Sequence, residues 1–99
     1  GVVVKRVNVR DVKRVIPYLG DRFQLVSGKC FEEVLFAAIL TLRAFERKTN
    51  RARSPGGELL LRLAGTHQIR EAIERRGAAE GLNYLVVFGS EEEAEEFIE

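Results

Sequence analysis

The stretch "FEEVLFAAILTLRAFER", residues 31–47, leaves this chain the fewest options. Phe31, Val34, Leu35, Ala38, Ile39, Leu42 and Phe45 recur at spacings of three and four, which a helix gathers onto one face. The spacing predicts a helix at roughly 30–47 that packs on a core along that stripe. Phe36 and Leu40 widen its apolar surface and predict a central position in the fold. Glu32 and Glu33 fall in its first turn, while Arg43, Arg47 and Lys48 fall near its end, as the helix macrodipole favours.

Such a helix needs other elements against it, and the rest of the chain switches period repeatedly. "VVVKRVNV" (2–9) and "RFQLV" (22–26) read as strands, the second with Phe23 and Leu25 on one face. "DVKRVIPYLG" (11–20) offers Asp11 as an N-cap and Gly20 as a stop, with Pro17 too deep for a first-turn proline and so either kinking the helix or cutting it short. "SPGG" (54–57) reads as a turn whose Pro55 and Gly56 exclude a helix. "ELLLRL" (58–63) then reads as a strand covered on both faces, interrupted only by Arg62. Gly65 and Thr66 open a helix at about 67–76 with Ile69, Ala72 and Ile73 on one stripe and Gly77 at its end. "NYLVVFG" (83–89) is another buried strand. Ser90 with Glu93 forms a capping box for a last helix carrying Ala94, Phe97 and Ile98 on one side. Four strand–helix alternations predict an α/β fold, a mixed sheet of about four strands flanked by helices, in one compact domain over 1–99.

Ninety-nine residues, 45% of them hydrophobic, suffice for a core without metals or disulfides. The single cysteine, Cys30, forbids an internal disulfide and fits a reducing compartment. The longest apolar run, 34–42, is far too short to span a bilayer, and no secretory signal stands at the start, so a cytoplasmic location without membrane contact is expected.

The catalytic inventory is thin. One histidine, His67, excludes His-rich zinc sites, and neither a Walker loop nor a GxGxxG follows any strand. No metal or cofactor is expected. Cys30 and His67 would be the components of a nucleophile–base pair, but a small packed thiol and a surface histidine are the more ordinary roles for such residues. The acidic run "SEEEAEEFIE" reads as a solvated helix with glutamates near its N-terminus rather than as paired catalytic carboxylates. The expectation is a protein without enzymatic activity of its own.

One feature stands out against this background. The chain has 16 basic and 15 acidic residues, yet Arg43, Arg47, Lys48, Arg51 and Arg53 crowd the joint after the long helix, with Thr49 and Asn50 among them. Helix capping with ordinary surface charge and phosphate binding account for this equally well from the residues alone. Few aromatics stand nearby to stack bases.

Asn50, Ala52 and Ser54, then Glu58, Leu60 and Leu61, then Gly65, Gln68 and Ile69 follow one another in a distinctive order. With this pattern, the stretch from about residue 20 to 88 resembles the kinase-binding subunit family of the archaeal and eukaryotic KEOPS complex, whose human relative binds the p53-related protein kinase. The resemblance implies a non-catalytic accessory role. KEOPS installs a threonylcarbamoyl group on the adenosine 3′ of the anticodon in tRNAs reading ANN codons, with the chemistry carried by a catalytic ATPase subunit and a small atypical kinase. The family docks on the kinase, stimulates it, and in archaeal members binds the 3′ CCA tail of tRNA. By that resemblance the tRNA-facing residues are Lys48, Asn50, Arg51 and Arg53, supported by Arg43 and Arg47. Gln68 belongs either to this site or to a helix-start hydrogen bond. Phe97 and Ile98 are candidates for kinase docking, with packing on their own core as the equal alternative. A protein adaptor of the kinase that makes no RNA contact is the second reading. Many relatives continue through further helical segments, so contacts made there do not carry over.

Overall fold

The computed structural model describes residues 1–28 and 30–98, the side chain of Ile98 excepted. Three strands, β1 (Val3–Val9), β2 (Phe23–Val26) and β3 (Gly81–Val87), form an antiparallel sheet in the order β1-β3-β2. The central strand is the most apolar, with Asn83 through Val87 all buried. That is the pattern of a strand covered on both faces. Its register sets Val4 opposite Val86 and Val26 opposite Tyr84 on one face, and Leu25 opposite Leu85 on the other.

Among the described residues five helices cover those faces: α1 (Val12–Val15, continued as a 3₁₀ turn over Ile16–Tyr18), α2 (Phe31–Arg47), α3 (Pro55–Ala64), α4 (Ile69–Arg76) and α5 (Glu91–Ile98). Residues of α2, α3 and α4 share the first core with Val26, Tyr84, Val86 and Phe88. Val12, Val15, Ala94 and Phe97 from α1 and α5 join Leu25, Leu85 and Val87 in the second. The molecule is thus a mixed α/β globule with helices on both sides of one sheet.

The expected strand at 58–63 does not form, and the described residues hold no fourth strand. Residues 58–63 are helical, within α3, and the sheet is antiparallel and three-stranded. Ser54 caps the first turn by accepting the Gly57 N–H at 3.2 Å, Pro55 occupies a first-turn position where its missing N–H costs nothing, and Gly65 ends the helix at φ 68°. The run "ELLL" is buried on nearly every side, as expected, but a continuous apolar run does not itself distinguish a buried strand from a buried helix. Gly56 is required by contact: a Cβ there would lie 2.5 Å from the Gly20 carbonyl oxygen.

The face of α2 also differs from the reading by periodicity. Val34, Ala37, Ala38, Thr41 and Ala44 are its buried residues, whereas Phe36 is 65% exposed and Leu35, Ile39, Leu42 and Phe45 are half-buried. The side chains that α2 buries are mostly small, and the most deeply buried helix is α3 rather than α2. Ile69 and Ile73 of α4 are exposed, leaving Ala72 as its core residue. Asp11 caps α1 and the Ser90–Glu93 capping box forms reciprocally, as read from the sequence.

Candidate nucleic-acid interface

The joint between α2 and α3 is shaped by one residue in an unusual conformation. Lys48 has φ 60°, and among the described residues no other non-glycine has positive φ. Its N–H and that of Thr49 return to the last carbonyls of α2, Thr49 to Ala44 at 2.8 Å, which closes the helix and turns the chain away.

The segment that follows is held by Glu58, from the first turn of α3. This carboxyl is 1% exposed, and one oxygen accepts the N–H of Arg51 at 2.7 Å and that of Ala52 at 2.8 Å. The other accepts from Arg62 Nε at 3.2 Å, one helical turn further on. Asn50 closes the loop on itself, its side-chain N–H donating to the Ala52 carbonyl at 2.8 Å. Ser54 Oγ donates to the Gly20 carbonyl at 2.6 Å, and the Gly56 N–H to that of Asp21 at 2.8 Å. Residues 50–56 are therefore pinned at both ends by buried or half-buried hydrogen bonds.

This scaffold presents the cations outward. Arg43, Arg47, Lys48, Arg51 and Arg53 are all exposed. Among the described residues the ion pairs engage Lys5, Arg22, Arg62, Arg75 and Arg76, and none of these five. Arg51 instead lays Nη1 within 2.9 Å of the His67 ring nitrogens, donating to whichever lacks a proton. Two adjoining depressions, of about 450 and 180 Å³, share Thr49 and Arg62. Arg51 and His67 line the larger one, Arg43 and Arg47 the smaller.

Of the residues singled out by sequence, Arg43, Arg47 and Arg51 thus converge on one groove. Lys48, Asn50 and Arg53 belong to the joint but line neither depression. Gln68 occupies the N-cap position of α4, where its carbonyl accepts the Ala72 N–H at 3.0 Å and its side chain makes no capping bond. Phe97 stacks on Phe23 with ring centres 5.2 Å apart and meets Tyr18 edge-on at 6.4 Å. The Ile98 side chain lies outside the described residues. Sequence reasoning assigned no role at this groove to Arg62, His67 or Glu58. The signal for the Glu58–Arg62 pair was its spacing of four, which carries meaning only once 58–63 is helical.

Cys30 and His67 are not brought together. The Cys30 thiol is exposed rather than packed and donates to Glu32 at 3.1 Å, and it lines a different depression from His67. That hydrogen bond holds the Glu32 carboxyl below its ordinary range, while the hydrogen bond from Lys5 to Glu91 raises the Lys5 ammonium. Among the described residues no group of His, Cys, Asp and Glu is placed to hold a metal ion, and no helix is long and apolar enough to cross a membrane.

No family model matches the chain. Over 79 residues, 80% of its length, it is 46% identical to the protein named KEOPS complex subunit Cgi121 from Pyrococcus abyssi (strain GE5 / Orsay). The match covers 46% of that relative, so the chain spans about half of its length.

Proposed function

We propose, from the premise that this chain belongs to the family of KEOPS complex subunit Cgi121, that it is a non-catalytic accessory part of that tRNA-modifying complex and binds the 3′ CCA tail of tRNA at the α2–α3 joint. The observation that carries this reading is the set of five exposed cations, none in an ion pair among the described residues, on the last turns of α2 and on the following loop, which part-buried hydrogen bonds fix. Phosphates of a single-stranded tail suit such a surface, because unpaired guanidinium groups need break no ion pair before they bind. Lys48, Asn50 and Arg53 extend the contact beyond the groove, with Gln68 at its edge.

The second part of the proposal is docking on the small atypical kinase of the complex, which this subunit then stimulates. The surface we assign to it is the end of α5, at Phe97 and Ile98. Tyr18, 68% exposed and edge-on to Phe97, enlarges the aromatic area available there. The same aromatic area supports the alternative of a kinase adaptor that makes no RNA contact. The catalytic ATPase would be reached only through the other subunits.

Gel-shift measurement with intact tRNA and tRNA lacking its CCA end separates the two. The expected result is binding to intact tRNA that falls steeply with salt and weakens on loss of CCA. Equal binding of the two RNAs overturns CCA recognition, and no binding of either, alongside binding of the kinase, leaves the adaptor reading.

A further inference from the structure

The larger depression at the joint has a chemistry that the cation count alone does not describe. Arg51 from the loop and Arg62 from α3 both line it, and His67 stands on its rim ahead of α4. Among the described residues the one carboxylate in its wall, Glu58, is engaged by two backbone N–H groups and by Arg62 Nε. Arg62 is thereby fixed by one nitrogen, leaving its two terminal nitrogens without a hydrogen-bond partner among the described residues. Across both depressions four guanidinium groups, on Arg43, Arg47, Arg51 and Arg62, stand against this single carboxylate. Glu71 approaches the rim but accepts from Thr66 Oγ1 and pairs with Arg75.

We propose that the depression between Arg51, Arg62 and His67 is a phosphate-binding pocket that seats one phosphodiester of the RNA tail, an inference that rests on the tRNA-binding reading above. Arg62 is the fixed arm, because Glu58 orients its guanidinium before any ligand arrives. Arg51 is the movable arm: its contact with His67 is a neutral-acceptor hydrogen bond, which a phosphate oxygen replaces with a stronger charge-assisted one. His67, released from Arg51, turns a ring N–H to the same anion. The volume of about 450 Å³ admits a phosphate with its flanking sugar.

The test uses the full chain and two probes, inorganic phosphate and intact tRNA. NMR spectra at fixed pH and matched ionic strength should show saturable movement of the His67 ring and Arg62 Nε signals as phosphate replaces chloride. Arg62→Gln and His67→Ala should each weaken tRNA binding about tenfold, as expected for loss of a charge-assisted contact, while Arg75→Gln should leave it unchanged. Arg62→Gln also disturbs Glu58, so His67→Ala, at an exposed position, keeps the test valid if the first variant misfolds. Unmoved His67 and Arg62 signals, or full tRNA binding by His67→Ala, overturn the pocket even if CCA dependence holds. Saturable phosphate binding at these residues together with indifference to CCA upholds the pocket and defeats the CCA reading instead.

Discussion

The buried carboxylate of Glu58 accepts the backbone N–H of Arg51 at 2.7 Å, joining the first turn of α3 to the most cationic loop of the molecule. A charge hidden from water is tolerable here because it meets three donors. Glu58→Ala removes all three acceptances and should destabilise the fold by about 2–3 kcal/mol, allowing for the partial exposure of Arg62. Glu58→Gln keeps an oxygen for the two amides and should cost about 1 kcal/mol. Urea unfolding measures both, and an alanine variant as stable as the parent would remove Glu58 from its place as the scaffold of the joint.

Lys48 offers a way to separate folding from binding. An L residue in the left-handed region is strained relative to glycine, so Lys48→Gly should stabilise the protein by about 0.5–1 kcal/mol. The same change deletes one of the proposed RNA contacts and should weaken tRNA binding by a few-fold. Thermal unfolding and filter binding on the one variant check both signs; unchanged RNA affinity would exclude Lys48 from the interface.

Arg51→Glu and Arg53→Glu reverse charge at exposed positions that hold no ion pair among the described residues, so neither should shift the unfolding midpoint appreciably. Both should reduce tRNA affinity by tenfold or more and flatten its dependence on salt. Kinase binding should survive. Loss of kinase binding with tRNA binding intact would move the joint from the RNA-facing to the protein-facing surface.

The Cys30–Glu32 hydrogen bond gives a pH prediction with a definite sign. Glu32 is held below its ordinary value of 4.5, so its contribution to stability is present above that pH and is lost as pH falls through the lower folded-state value. In Cys30→Ala the Glu32 carboxyl should titrate closer to 4.5, and Cys30→Ser should restore much of the shift because a hydroxyl also donates. Carboxyl-carbon NMR titration reads this directly. An unchanged Glu32 midpoint in the alanine variant would rule out the thiol as its cause.

Periodicity located α2, the three strands of the sheet, the capped start of α1 and the capping box of α5, because each carries a local signal. It mistook α3 for a strand because Pro55, Gly56 and Gly57 resemble a turn and the leucines that follow show no amphipathic period. Ser54 as N-cap, Pro55 in the first turn and Gly65 beyond the end were the opposing signals. The face of α2 was misjudged for a different reason. Hydrophobicity favoured Leu35, Ile39 and Leu42, whereas close approach of the neighbouring elements selected Ala37, Thr41 and Ala44. At the candidate site the exposed cations were legible as composition. Glu58 was not, because its partners lie on a loop that reaches it only when the segment from 55 onward coils.

The dependence of α3 on the Gly20–Asp21 backbone extends well past packing. That corner receives Ser54 and Gly56 on one side, and next to it Arg22 exchanges hydrogen bonds with Phe88 and pairs with Glu93 on the other. A saturation screen for loss of RNA affinity should therefore score hits around residues 20–22, which are not among the proposed RNA contacts. Read as a footprint, those hits would outline a second binding face; read mechanically, they mark the hinge pin on which the first one is mounted.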